Sequence, residues 1–258
     1  MQSSRFLKAI VRRTLQLRHP GHVTKDSLRY AWMYGLRVDV SKKLGLASGD
    51  RVLDVGCGDG WFSLQNALKY PKVQFTGIDL YETQDAKELS RLMGVKNCRF
   101  YRRDAMRMNI SRSFDFVVLF MTLGNICETL PSVKLLFANC LHAMKKEAKL
   151  LIVEPFQEDF PEDIRDKLRH MYGLYKASGK SHGEDHETVL GRDMALEALR
   201  DSDFRVLQVL GRRFGWYVKR DAVMEYFGFP SSFVDIPERF WVLDKPKQGT
   251  IIFAKRLG

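Results

Sequence analysis

Cysteine is sparse in this 258-residue chain, and Cys57, Cys98, Cys127 and Cys140 form no CxxC pair. That scatter suggests neither a disulfide framework nor a cysteine zinc site, and it fits a reducing cytoplasm. Long apolar runs are missing from the N-terminal stretch, where Arg5, Lys8, Arg12 and Arg13 interrupt each one before it reaches signal-peptide or membrane-spanning length. A soluble, cytoplasmic protein without a transmembrane segment is expected. Fixed-period repeats and low-complexity tracts are also absent, and 45% hydrophobic with 28% charged residues places the chain among globular proteins rather than disordered ones.

Acidic residues are scarce at the N-terminus. Residues 1 to 51 hold 11 Lys or Arg against 3 Asp or Glu, so they carry +8 of the net +11. Such a basic arm could attract nucleic acid, an anionic membrane surface or an acidic substrate, or it could be a solvated helix face. Residues 5 to 18 have amphipathic helical spacing, His19-Pro20-Gly21 ends that segment, and an aromatic-rich helical stretch runs from about Lys25 to Leu44. Residues 1–45 are therefore read as an arm or cap on a domain spanning 46–258.

From residue 51 strands and helices alternate. Strands are expected at 51–55, 72–79, 98–103, 114–120, 148–155, 204–210 and 249–257, with helices at 61–70, 84–94, 131–145 and 191–201. This is an α/β pattern, predicting a mostly parallel seven-stranded sheet covered on both faces, with ligands above the carboxyl ends of its strands. Two insertions break the rhythm, a polar one at 160–188 and an aromatic one at 212–247, and both are expected to act as lids.

The most specific signal is Asp54-Val55-Gly56-Cys57-Gly58-Asp59-Gly60, a buried strand running into a turn with glycine at every second position. Glycine lets a backbone turn sharply and approach a ligand. The GxGxxG dinucleotide fingerprint would need glycine at 61, where Trp61 stands. The segment resembles the first motif of class I, Rossmann-like S-adenosylmethionine-dependent methyltransferases. Asp79 at the end of the second strand, Asp104-Ala105 after the third and Phe120-Met121 at the end of the fourth fall where the resemblance requires them.

The resemblance implies a role for each residue. Gly56, Cys57, Gly58 and Gly60 would accommodate the amino-acid part of S-adenosyl-L-methionine. Asp54 would order the loop amides or receive the cofactor ammonium through water, with the ordering role favoured. Asp79, next to Leu80, would accept both ribose hydroxyls. Asp104 would face the adenine amino group and the Ala105 amide its ring, while Phe120 and Met121 would lie beside the sulfonium. Against each stands a structural alternative: Asp79 and Asp104 as cap or turn residues, Phe120 as core.

The signal for the methyl acceptor is weaker. LFMTLGNI at 119–126 lacks the Asn/Asp-Pro-Pro-aromatic turn of enzymes that methylate planar amines, and no cysteine stands in a Pro-Cys turn for attack on cytosine. Candidate bases are His182 and His186 in the polar loop SHGEDHE, and Glu154 at the end of the fifth strand, which would orient an acceptor or cap the next segment. The histidine pair at i and i+4 makes a metal site conceivable, but zinc would need a third ligand in the right geometry, so a solvated polar loop is expected and no metal is assigned. The leading expectation is a methyltransferase for a small or medium-sized organic acceptor. The alternatives are an RNA methyltransferase using the basic arm, and a cofactor-binding module without catalysis.

Overall fold

The computed structural model describes residues 37, 40–81, 83–160, 162, 189–214 and 247–257. A short helical segment ending at Leu44 leads into β1 (Arg51–Val55), whose four residues after Arg51 are all buried, as a central strand requires. The chain continues through α1 (Trp61–Lys69), β2 (Gln74–Asp79), α2 (Gln84–Leu92), β3 (Cys98–Arg102) and a 3-10 turn at Ala105–Arg107. It then forms β4 (Phe114–Phe120), a short α3 (Leu123–Ile126), α4 (Leu130–Ala143), β5 (Met144–Glu154), α5 (Arg192–Arg200), β6 (Phe204–Phe214) and β7 (Lys247–Arg256).

The seven strands form one sheet in the order β3-β2-β1-β4-β5-β7-β6. Neighbouring pairs from β3 to β5 are parallel, and β7 runs antiparallel to both β5 and β6. Strand order reverses between β1 and β4, which opens a crevice at their carboxyl ends. Alternate residues of each strand feed two cores. Phe62, Leu64, Phe75, Phe100 and Phe120 fill one face, and Leu53, Ile78, Leu119, Leu136, Phe137 and Ile152 fill the other.

Polar side chains fix helix ends. Thr129 and Ser132 form a reciprocal capping box at the start of α4. Its last carbonyls are capped from across the sheet, because Arg256 Nη1 donates to the Leu141 carbonyl at 2.9 Å and also to that of Met144. Asn97 Nδ2 closes the end of α1 by donating to the carbonyls of Ala67 (3.1 Å), Tyr70 (3.1 Å) and Val73 (2.8 Å).

The helix expected to reach 145 stops at Ala143, and β5 begins at Met144, which pairs with Phe114 across an irregular register. The fully buried Met144 adopts an extended backbone, so tertiary pairing outweighs the helical character of that stretch. The aromatic insertion is narrower than expected, because Arg212–Phe214 pair with Lys247–Gly249 and extend the β6–β7 ladder. What remains of it, 215–246, leaves and rejoins the sheet at the carboxyl edge, and so does the insertion after Phe160. Whether either forms a lid lies outside the described residues, as does most of the 1–45 arm. No helix among the described residues is long and apolar enough to cross a membrane.

Candidate active site

The glycine turn lies at the carboxyl end of β1, with Gly56 at φ +67°, Gly58 at +50° and Gly60 at +76°. All three are in the left-handed region that residues with a Cβ seldom occupy. Two of them are also crowded: a Cβ on Gly56 would lie 1.9 Å from Thr122 Oγ1, and one on Gly60 would lie 2.5 Å from the Phe100 ring. The turn is held from β2. The amides of Gly56 and Cys57 donate to the Ile78 carbonyl at 2.8 and 3.0 Å, and the Gly58 amide donates to Asp79 Oδ2 at 2.8 Å.

Asp79 therefore orders the loop. Its other oxygen, Oδ1, accepts the Tyr81 amide at 3.0 Å, so each carboxylate oxygen keeps acceptor capacity for a further donor. Leu80 follows it and is half exposed. Asp54, the residue expected to order the loop, instead accepts a hydrogen bond from Ser63 Oγ of α1 at 2.7 Å. It is buried, and desolvation pushes its carboxyl up to about 7 against the opposing pull of the Ser63 hydroxyl and the Arg37 guanidinium. Cys57 packs its sulfur over Gly77, and burial pushes its thiol well above the ordinary range, so it fills space rather than acting as a nucleophile.

Asp104 caps the 3-10 turn after β3 through Oδ1, which accepts the Met106 amide at 2.8 Å. Asp104 Oδ2 lies 3.7 Å from Arg107 Nε, and the side chain stays about one-third exposed. Ala105 is buried beside it. At the end of β4, Phe120 stacks on Phe62 with ring centroids 5.5 Å apart, and the buried Arg37 guanidinium lies 5.8 Å from the Phe120 ring centre. Met121 has φ +56°, a strained value for a side chain of its size, and its amide is held by the Val153 carbonyl at 2.7 Å.

Glu154 is engaged by the fold. Its two carboxylate oxygens accept the Leu123 amide at 3.1 Å and the Gly124 amide at 3.4 Å, capping the first turn of α3. The segment it caps in this way is the one that follows β4. His182 and His186 lie outside the described residues. No group of three or more metal-ligating side chains occurs among the described residues.

The structure thus gathers Gly56, Gly58, Asp79, Asp104, Ala105 and Phe120 along the carboxyl edge of β1 to β4. Sequence reasoning missed Thr122, Arg37 and Asn139. The crowding of Gly56 depends on Thr122, and its place two residues after a strand that ends in the crevice was the available signal for it. Arg37 and Asn139 reach the site through packing that no local pattern announces.

Over 129 residues the chain is 28% identical to the malonyl-[acyl-carrier protein] O-methyltransferase of Bacillus anthracis, a match covering 50% of this chain and 46% of the relative. It spans about half the length, or less, of the curated relatives it matches. Among solved structures, a SAM-dependent methyltransferase of Methanosarcina mazei superposes with a TM-score of 0.60 at 20% identity, covering 82% of this chain and 94% of that one. Geranyl diphosphate C-methyltransferase of Streptomyces coelicolor A3(2) superposes with a TM-score of 0.59 at 14% identity, covering 86% and 76%. At those identities the likeness is one of fold. Residues 46–201 match the family described as a methyltransferase domain, and the chain belongs to that family.

Proposed function

We propose that this protein is an S-adenosyl-L-methionine-dependent methyltransferase acting on a small or medium-sized organic acceptor. The observation that carries the reading is the crevice above β1 to β4. There a glycine turn, crowded at Gly56 and Gly60, sits against a carboxylate that holds the turn and keeps acceptor capacity for further donors. The donors and acceptors suit the cofactor: Asp79 for the ribose hydroxyls, Asp104 and the Ala105 amide for the adenine edge, and the turn at 56–60 for the amino-acid part. Bound there, the cofactor would supply an electrophilic methyl group. The chain's contribution would be positioning and exclusion of water, with Phe120 and Met121 forming the wall beside the reacting centre.

A small acceptor is supported by the names of relatives, which include a demethylmenaquinone methyltransferase and a geranyl diphosphate methyltransferase. It is supported too by both insertions departing from the carboxyl edge, where they can enclose a ligand. Calorimetry with S-adenosyl-L-homocysteine tests the cofactor. Incubation with methyl-labelled cofactor and fractionated extract tests the acceptor, with label expected in the small-molecule fraction. Label confined to RNA or protein would overturn that part of the reading.

A further inference from the structure

The turn proposed to receive adenine is fastened from two sides. Asp104 works from within, accepting the Met106 amide on Oδ1, while its backbone carbonyl accepts the Arg107 amide at 3.2 Å. From outside, Asn139 on α4 donates its Nδ2 hydrogens to the carbonyls of Ala105 at 3.0 Å and Met106 at 2.9 Å. The Ala105 carbonyl shares a peptide plane with the Met106 amide, and the Met106 carbonyl shares one with the Arg107 amide. Asn139 and Asp104 therefore hold opposite edges of the same two planes. The Ala105 amide takes no part in these bonds among the described residues. It is left as a donor next to the partly exposed Asp104 carboxylate, matching the acceptor and amino donor on one edge of adenine.

We infer that Asn139 is a positioning residue for cofactor selectivity: by fixing the Ala105 and Met106 carbonyls it aims the Ala105 amide and the Asp104 carboxylate together at the adenine edge. Its Nδ2 hydrogens are taken up by those two carbonyls, so it acts through the turn. This rests on the cofactor reading above. A merely structural tie between α4 and the turn would affect stability alone. A positioning tie also governs the preference for a purine carrying an exocyclic amine over one carrying an oxygen there.

Calorimetry on the full chain with S-adenosyl-L-homocysteine and S-inosyl-L-homocysteine distinguishes the two. The intact protein should prefer the adenosyl ligand by ~10-fold or more, since the inosyl base opposes both the carboxylate and the amide with its C6 oxygen and N1 hydrogen. Asn139→Leu, which keeps the volume and removes the donor, should bring that preference to within ~2-fold while leaving a cooperative melt. Asn139→Asp, with its oxygens opposed to two carbonyls, should do the same, and either variant suffices if the other does not fold. Full preference in a folded Asn139 variant, with loss of preference in Asp104→Asn, would overturn the inference and leave the adenine reading standing. Unchanged binding of both ligands in Asp104→Asn would overturn the adenine reading, and the inference with it.

Discussion

The Gly58 amide donates to Asp79 Oδ2 at 2.8 Å, joining the glycine turn after β1 to the end of the neighbouring strand β2 across 21 residues of sequence. One carboxylate therefore shapes the turn and, in the proposed function, also binds the ribose. Asp79→Ala should weaken S-adenosyl-L-homocysteine binding by about 1 to 3 kcal/mol through loss of charge-assisted hydrogen bonds, with the fold retained. Amide exchange at Gly58 should accelerate in the same variant. Unchanged affinity by calorimetry would remove Asp79 from the site.

The glycines of the turn should separate conformational strain from crowding. Gly58 has nothing within 4 Å of an added Cβ, so Gly58→Ala should cost about 1 to 2 kcal/mol, the strain of its positive φ alone. Gly56→Ala carries the same strain and drives a methyl group into Thr122 Oγ1, so it should cost about 3 kcal/mol or more. Denaturant titration of both variants checks the order, and equal losses would show that Thr122 yields freely.

The sheet was legible from sequence because strands buried on both faces, such as VVLF at the end of β4, read as apolar runs bounded by turns. The strand-end carboxylates were legible for the same reason, since Asp79 and Asp104 interrupt or follow such runs. Their second duties were not. That Asp79 rather than Asp54 accepts the Gly58 amide, and that Glu154 caps α3, depends on distances between strands that are adjacent in space. Local pattern carries no such distances. The Met144 start of β5 was hidden likewise, by pairing with Phe114 from thirty residues away.

Asp54 should give the protein a measurable pH dependence. Burial raises its carboxyl to about 7, so the folded protein holds that proton far more tightly than the unfolded chain, whose Asp titrates at about 4. The associated stability is fully present below pH ~4 and is lost as pH rises through ~7, with about 4 kcal/mol as the ceiling for so large a shift. Asp54→Asn keeps an acceptor for Ser63 and has no proton to lose. It should therefore be more stable than the parent at pH 8 and should flatten the slope of unfolding free energy between pH 4 and 7. An unaltered slope would assign the dependence to other groups.

The two insertions are rooted on one buried knot. Thr250, at the start of β7, donates to Asp159 at 3.0 Å from Oδ1 and 2.9 Å from Oδ2, and Arg192 Nη1 lies 3.5 Å from the same hydroxyl and 3.8 Å from Oδ1. Asp159 directly precedes the first insertion, Arg192 follows it, and Thr250 follows the second, so one hydroxyl joins the bases of both. Asp159 also accepts the Phe156 amide at 3.0 Å, and the Gln157 amide reaches the Leu190 carbonyl at 2.8 Å, so the knot closes the first insertion at its neck. Thr250→Val preserves shape and deletes the donor, leaving a buried carboxylate short of a partner. It should cost about 1 to 3 kcal/mol. Amide exchange at Phe156, Gln157 and Arg192 should speed up by more than the loss of global stability accounts for, because the neck opens locally. Thr250→Ser restores the hydroxyl and should return the exchange rates toward those of the parent. If Thr250→Val and Thr250→Ser exchange alike at these amides, the Thr250 hydroxyl does not couple the two insertions.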